Sequence, residues 1–192
     1  MPKRILILLG HPAADSLCAG LADAYADGAR QAGHEVQLIK LAELRFDPVL
    51  HEGYKLIQPL EPDLLAAQQA ILRAQHPVLV YPTWWGGMPA LMKGFFDRTF
   101  LPGFAFKYRP GSPWWDKLLA GRSAQVIATM DTPPWYYRLI YGSPGHRQTV
   151  RTILRFCGVS PVRVTSIGRV KDTPPAWKER WLARMRELGR RA

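Results

Sequence analysis

Apolar residues fall along this chain in two alternating rhythms. Short, nearly unbroken apolar runs such as Ile5-Leu6-Ile7-Leu8-Leu9 and Val78-Leu79-Val80 are separated by longer stretches in which apolar positions recur at helical spacing. Runs that short and that apolar suit parallel strands covered on both faces, and their alternation with helical stretches predicts an α/β arrangement. Strands are predicted over Arg4–Leu9, Glu35–Lys40, Pro77–Tyr81, Ala124–Thr129 and Val162–Ile167, and helices over 16–32, 62–75, 89–100, 146–157 and 175–189. Gly33 and Gly158 stand where the first and fourth helices would stop, and Thr173-Pro174-Pro175 reads as the start of the last.

Five parallel strands and five helices make a doubly wound, three-layer sandwich with sheet order 2-1-3-4-5, the flavodoxin-like count. Such sheets bind ligands at the carboxyl ends of the strands, near the switch point of the strand order. The 192 residues show no repeat and no linker, so residues 1–192 are read as one domain. Two loops are long for their role, Leu41–Glu61 and Leu101–Trp115, as functional loops commonly are. Hydrophobic residues make up 47% and charged residues 21%, an ordinary globular balance that argues against disorder. No apolar run reaches membrane-spanning length, and Ile5–Leu9 is too short for a signal peptide, so a cytoplasmic protein is expected. Cys18 and Cys157 fit a reducing compartment better than a disulfide.

Charge changes this picture in one respect. The net charge is +11, and residues 135–192 hold 13 Lys+Arg against 3 Asp+Glu, where residues 1–134 hold 13 against 12. A basic end of this kind could meet nucleic acid, an anionic membrane surface, a transporter or a phosphate-bearing ligand. The cations are dispersed through amphipathic segments instead of forming an arm, so a solvated surface is favoured and no nucleic-acid partner is expected.

Two segments carry chemistry. Gly10-His11-Pro12-Ala13-Ala14-Asp15-Ser16-Leu17 follows the first strand and opens the first helix. There it would offer backbone amides and a positive helix end to an anion, or serve as a plain turn with a Ser16 or Asp15 cap. No G-x-G-x-x-G or G-x-x-x-x-G-K-[ST] loop is present. The second segment runs Tyr81-Pro82-Thr83-Trp84-Trp85-Gly86-Gly87-Met88-Pro89-Ala90, continuing to Arg98, at the carboxyl end of the third strand. Glycines let backbone approach a flat ligand, and tryptophans wall it in. A planar, partly polar heterocycle suits this combination.

The pattern P-x-W-W-x-G-x-P-A-x-x-K-G-x-x-D-R resembles the flavin loop and following helix of the NAD(P)H:quinone oxidoreductase, or DT-diaphorase-like, family of flavodoxin-like flavoproteins. Gly10-His11-Pro12 through Ser16 looks like that family's phosphate loop, Phe100 to Phe106 like its substrate-side loop, and Phe156-Cys157-Gly158 like the end of its fourth helix. The resemblance implies that His11, Ser16, Leu17 and Cys18 hold the flavin's phosphate end, and that Pro82, Thr83, Trp84, Trp85 and Gly86 hold its ring. It implies that Phe104, Ala105 and Phe106 line the nicotinamide and quinone side for the partner of a homodimer. Tyr137 and His146 become candidates for the family's catalytic Tyr and His. The chain departs from the pattern at Cys18, where Asn is common, at Asp15, and at Thr129-Met130-Asp131-Thr132-Pro133-Pro134, where Thr-Thr-Gly-Gly is usual.

What the resemblance implies is two-electron reduction of quinones or similar planar acceptors by NAD(P)H, in a ping-pong cycle at one flavin. Leu44 to Leu50 resembles the loop of FAD-binding members, while the compact length suits FMN-binding relatives. The rivals are a flavodoxin-type electron carrier, usually acidic, and an ancillary subunit of a membrane transport system, a role some relatives fill. No two His or Cys show a metal-ligand spacing, so no metal is expected.

Overall fold

The computed structural model describes residues 1–171 and 173–192. In chain order the elements are β1 (Arg4–Leu9), α1 (Leu17–Gln31), β2 (Glu35–Lys40), α2 (Pro62–Arg73), β3 (His76–Pro82), α3 (Ala90–Thr99), β4 (Phe106–Tyr108), β5 (Trp115–Lys117), β6 (Ala124–Thr129), α4 (Pro134–Leu139), α5 (Pro144–Arg147), β7 (Val162–Ile167) and α6 (Pro175–Arg190). A π-helical stretch, Gln148–Arg155, continues α5. The main sheet is parallel, in the order β2-β1-β3-β6-β7, which is 2-1-3-4-5 counted over its own five strands. All five predicted strands are present; β1, β3 and β6 are covered on both faces, while the edge strands β2 and β7 are partly exposed.

Alternation along β1 and β3 divides the core in two. Ile5, Ile7, Leu9, Val78 and Val80 pack under α1 and α6, against Ala22, Tyr25, Ala29 and Met185. Leu6, Leu8, Leu79 and Tyr81 pack under α2, α3 and the π-helical stretch, against Leu64, Ile71, Met92, Phe95 and Leu154. Within the α1–α6 layer the close approach of the two helices depends on glycine. A Cβ at Gly28 would lie 1.9 Å from the Arg186 carbonyl oxygen, and one at Gly189 would lie 2.1 Å from that of Tyr25. The α1 and α6 backbones therefore touch at two places where no larger residue fits.

The loop Leu41–Glu61 is strapped onto α3 by Arg98, whose side chain is fully buried. Its guanidinium donates to the Asp47 carbonyl, to the Pro59 carbonyl at 2.9 Å and to Glu61 Oε2 at 2.9 Å. Pro48 fills the space over Gly94, where a Cβ would come within 2.5 Å of it.

Three expectations are corrected. Leu101–Trp115 is not all loop: its proline- and glycine-rich middle turns an antiparallel hairpin, with Phe106 opposite Lys117 and Tyr108 opposite Trp115. Within one chain this hairpin buries Phe106 and stacks Trp115 on Phe156 at 4.5 Å, leaving Tyr108 and Trp114 exposed. The segment from Pro133-Pro134, for which no helix is predicted, starts α4 with proline at its first helical position. The fourth predicted helix begins two residues early, at Pro144, and is largely π-wound. Among the described residues no helix is long and apolar enough to cross a membrane.

At the amino end of the sheet a buried histidine joins two elements. His76 Nε2 meets the Tyr25 hydroxyl at 3.2 Å and Nδ1 meets Ser123 Oγ at 2.8 Å. Burial, with Lys3 and Arg163 nearby, pushes its pKa down to about 4. The folded protein thus holds His76 neutral, while the unfolded chain takes up a proton below its ordinary value of 6.5. Stability from this group is fully present above about pH 6.5 and is lost as pH falls from there toward 4, at up to about 1.4 kcal/mol per pH unit. Urea midpoints measured across that range should fall for the wild type and fall less steeply for His76→Gln. Gly28→Ala should cost about 1–3 kcal/mol by overpacking, read as a lower urea midpoint with the fold retained by circular dichroism.

Candidate active site

The carboxyl ends of β1, β3 and β6 open on one trough. Its first half, about 400 Å³, is lined by His11, Asp15, Ser16, Leu17, Cys18, Pro82, Thr83, Trp84, Thr129, Met130, Asp131 and Val170. Its second half, about 540 Å³, is lined by Thr83, Trp85, Gly86, Met130, Asp131, Thr132, Tyr137, Tyr141 and Pro144. Thr83, Met130 and Asp131 belong to both. The trough lies where β1 and β3 meet, with α1 leaving to one face and α3 to the other, so it is the switch point of the strand order.

At the first half, Ser16 caps α1, its Oγ accepting from the Ala19 amide at 3.2 Å. Leu17 and Cys18 head the helix, where amides have no intrahelical acceptor and the helix dipole is positive. His11 Nδ1 accepts from the Ala13 amide at 3.0 Å, which puts the ring proton on Nε2, a donor. The Cys18 thiol is buried against Thr129 Oγ1 at 3.3 Å, and burial pushes its pKa to about 11. Cys18 therefore contributes a backbone amide and a neutral wall, not a thiolate.

At the second half the chain leaves β3 through a tight turn. Trp84 and Gly87 exchange backbone hydrogen bonds of 2.9 and 3.0 Å, and both residues between them, Trp85 (φ 51°) and Gly86 (φ 77°), are left-handed. That geometry is natural for glycine and costly for tryptophan. It leaves the Trp85 ring wholly exposed over the trough. The Tyr137 hydroxyl bridges the turn to the next loop, donating to the Gly86 carbonyl at 2.8 Å and accepting from the Gly145 amide at 2.9 Å. Its proton is thereby committed to backbone. His146 packs edge-on to Tyr137 at 5.0 Å, and burial lowers its pKa, so the ring is neutral near pH 7. Three buried side-chain polar atoms lack a partner among the described residues, and two of them are Thr83 Oγ1 and His146 Nε2.

The structure thus gathers His11, Ser16, Leu17, Cys18, Pro82, Thr83, Trp84, Trp85, Gly86 and Tyr137 at one trough, with His146 beside Tyr137. It does not bring Phe104, Ala105 and Phe106 there within one chain. Phe106 faces a separate cavity of about 460 Å³ with Tyr108, Phe156 and Lys93 beyond α3, and Ala105 is a fully buried strut whose carbonyl accepts from Leu118. Sequence reasoning left Thr129, Met130, Asp131 and Val170 out of the site. Thr129 ends the fourth predicted strand and Met130 and Asp131 follow it directly, where the carboxyl-end rule would have placed them. Val170 arrives only because the chain after β7 is pinned by Asp131, which accepts from the Arg169 and Lys171 amides.

The family model for the flavodoxin-like fold matches residues 3–188. The chain belongs to that family. Among its flavodoxin-like relatives, an uncharacterized NAD(P)H oxidoreductase of Haemophilus influenzae is 34% identical over 171 residues, 86% of this chain and 83% of that protein. NAD(P)H dehydrogenase [quinone] 1 of Rattus norvegicus is 25% identical over 211 residues, 93% of this chain and 76% of the rat protein. In three dimensions the chain superimposes on the NAD(P)H:quinone oxidoreductase of Methanothermobacter marburgensis with a TM-score of 0.82 at 24% identity, over 99% and 98% of the two chains. At that identity the likeness establishes the shared fold.

The Tyr137 bridge makes a direct prediction. Tyr137→Phe leaves the half-buried Gly86 carbonyl and the buried Gly145 amide unpaired and should cost about 1–3 kcal/mol, seen as a lowered urea midpoint. Gly145→Ala, whose Cβ would stand 2.5 Å from the Gly86 oxygen, should displace the turn as well as destabilise it.

Proposed function

We propose that this chain is a flavin-dependent NAD(P)H oxidoreductase of the quinone-reductase type, acting as a homodimer on quinones or similar planar acceptors. The observation that carries the reading is the orphaned Thr83 Oγ1, in a trough that already offers an anion-binding helix start at one end and an aromatic-glycine turn at the other. Buried polar atoms are rarely left unpaired without a ligand or water to meet them.

The residues present fit a flavin. The amides of Leu17 and Cys18, Ser16 and the Nε2 proton of His11 would hold its phosphate, without a Lys or Arg. The turn Pro82–Gly86 would hold the ring edge through backbone groups, with Thr83 Oγ1 as an additional partner. A bound flavin would supply two-electron transfer between NAD(P)H and acceptor, which is why no catalytic nucleophile or metal set is needed. Tyr137 acts as a positioning residue, because its hydroxyl fixes the turn. His146, neutral and packed edge-on to Tyr137, would support that bridge from behind. Phe104 and Phe106, with the exposed Tyr108 and Trp114, would meet the partner subunit and close its trough. The names of the relatives favour a reductase over an electron carrier.

If nicotinamide and acceptor occupy the trough in turn, initial-rate plots at several quinone concentrations should be parallel lines. Intersecting lines would remove the shared-site cycle. The purified protein should take up FMN or FAD stoichiometrically, and identifying the released chromophore decides between them. Thr83→Val should weaken that binding by about 1 kcal/mol, or roughly fivefold, without lowering the urea midpoint, since the hydroxyl has no protein partner to lose. Failure to bind either flavin at micromolar concentration would end this reading.

A further inference from the structure

We propose that the exposed face of α4 docks on an anionic phospholipid bilayer and presents the mouth of the trough to quinones dissolved in it. The proposal rests on the quinone-reductase reading and names where its substrate comes from. Five large apolar side chains stand exposed around the second half of the trough: Trp85 (106%), Trp135 (62%), Leu139 (71%), Ile140 (61%) and Tyr141 (55%). They are contiguous. Trp85 and Tyr141 line the same cavity, Tyr141 packs edge-on to Tyr136 at 5.2 Å, and Tyr136 does so to Trp135 at 5.6 Å. Trp135 and Leu139 lie four residues apart on one face of α4, while Tyr137 points inward and anchors the helix to the turn. Single exposed apolar residues are ordinary, but a cluster of this kind beside a site mouth marks a contact surface.

The charge around it selects the partner. Between Asp131 and Asp172 the sequence holds seven Lys+Arg and no acidic residue. Arg138, Arg147, Arg169 and Lys171 are exposed, and among the described residues none forms an ion pair. Arg138 lies on α4 itself. Arg169 and Lys171 are brought beside its first turn because Asp131 accepts from both their amides and Gly168 packs on Pro134, where a Cβ would meet it at 2.3 Å. Among the described residues Asp131 is the carboxylate bonded within this group, and it is engaged with the Lys171 amide. Tryptophan and tyrosine favour the lipid headgroup level, and unpaired cations are drawn to anionic lipid. Trp135, Arg138, Leu139 and Ile140 do not line the trough, so they would meet the bilayer while the partner's hairpin lies over the trough beside Trp85 and Tyr141.

Flotation of the flavin-loaded protein with vesicles tests this. It should rise with vesicles containing phosphatidylglycerol and stay down with phosphatidylcholine alone. Arg138→Glu should cut the bound fraction about fivefold or more, and Leu139→Glu with Ile140→Glu should abolish it. These variants should keep wild-type turnover of a water-soluble benzoquinone and lose turnover of a long-chain quinone embedded in the vesicles. If the wild type stays down with both vesicle types yet reduces the soluble quinone, docking is overturned and the reductase stands. If the α4 variants instead shift the sedimentation coefficient, a second copy covers this face and docking is again overturned. Flotation without NAD(P)H-driven turnover of any quinone would overturn the reductase reading and, with it, the delivery of substrate from the bilayer.

Discussion

Strands β1, β3 and β6 bury side chains on both faces, and that constraint organises the rest of the molecule. Residues Ile5 to Leu9, Val78 to Tyr81 and Val126 to Ala128 are all buried, so water is excluded above and below the sheet. Burial of this apolar area is the main favourable term in folding, at about 25 cal/mol per Å². It also dictates the handed crossovers that place α1 and α6 on one face and α2, α3 and the π-helical stretch on the other. With both faces of these strands committed, the strand ends are where the chain can present chemistry. The carboxyl ends are favoured because they are where the helix amides point.

At those ends the site is built from close backbone approaches rather than from charged side chains. The turn after β3 is held left-handed at Trp85 and Gly86, the Tyr137 hydroxyl clamps it to Gly145, and Gly145 itself sits where no side chain fits. Strain at Trp85 is maintained by the surrounding bonds, which hold the indole out over the trough. Such an arrangement is suited to a flat ligand carrying its own reactivity. The protein's part is to fix the ligand's plane, supply a few donors and keep titratable groups neutral. Burial accomplishes the last of these, lowering the pKa of His146 and raising that of Cys18.

The basic character of the last third of the chain has a place in the same geometry. Parallel topology returns β7 to the sheet edge next to β6, so the loop leaving it, with Arg169 and Lys171, lands beside α4 and the trough. The spacing of the cations argued for a dispersed, solvated surface, whereas the fold brings Arg169 and Lys171 beside the helix that carries Arg138.

The five strands, their order and the segment at 82–86 were legible in the sequence because they depend on local pattern: short apolar runs, punctuating glycines, and a tryptophan-glycine corner in a recognisable context. Ser16 as the cap of α1 and Gly33 and Gly158 as stops were legible for the same reason, since each acts within one turn of chain. What depended on distance in sequence was not. The β4–β5 hairpin requires cross-strand contacts that override a proline- and glycine-rich middle, and α4 begins at a proline pair where no helix is predicted. The bridge from Tyr137 to Gly86 spans 51 residues, and the bond from Asp131 to Lys171 spans 40. The separation of Phe106 from the trough likewise follows from where α3 and the hairpin pack. The sequence by itself determined that the loops after the first and third strands would meet at a flavodoxin-like switch point. Tertiary structure decided which polar atoms there are already satisfied and which are left free, because hydrogen-bond satisfaction is settled only when distant segments meet.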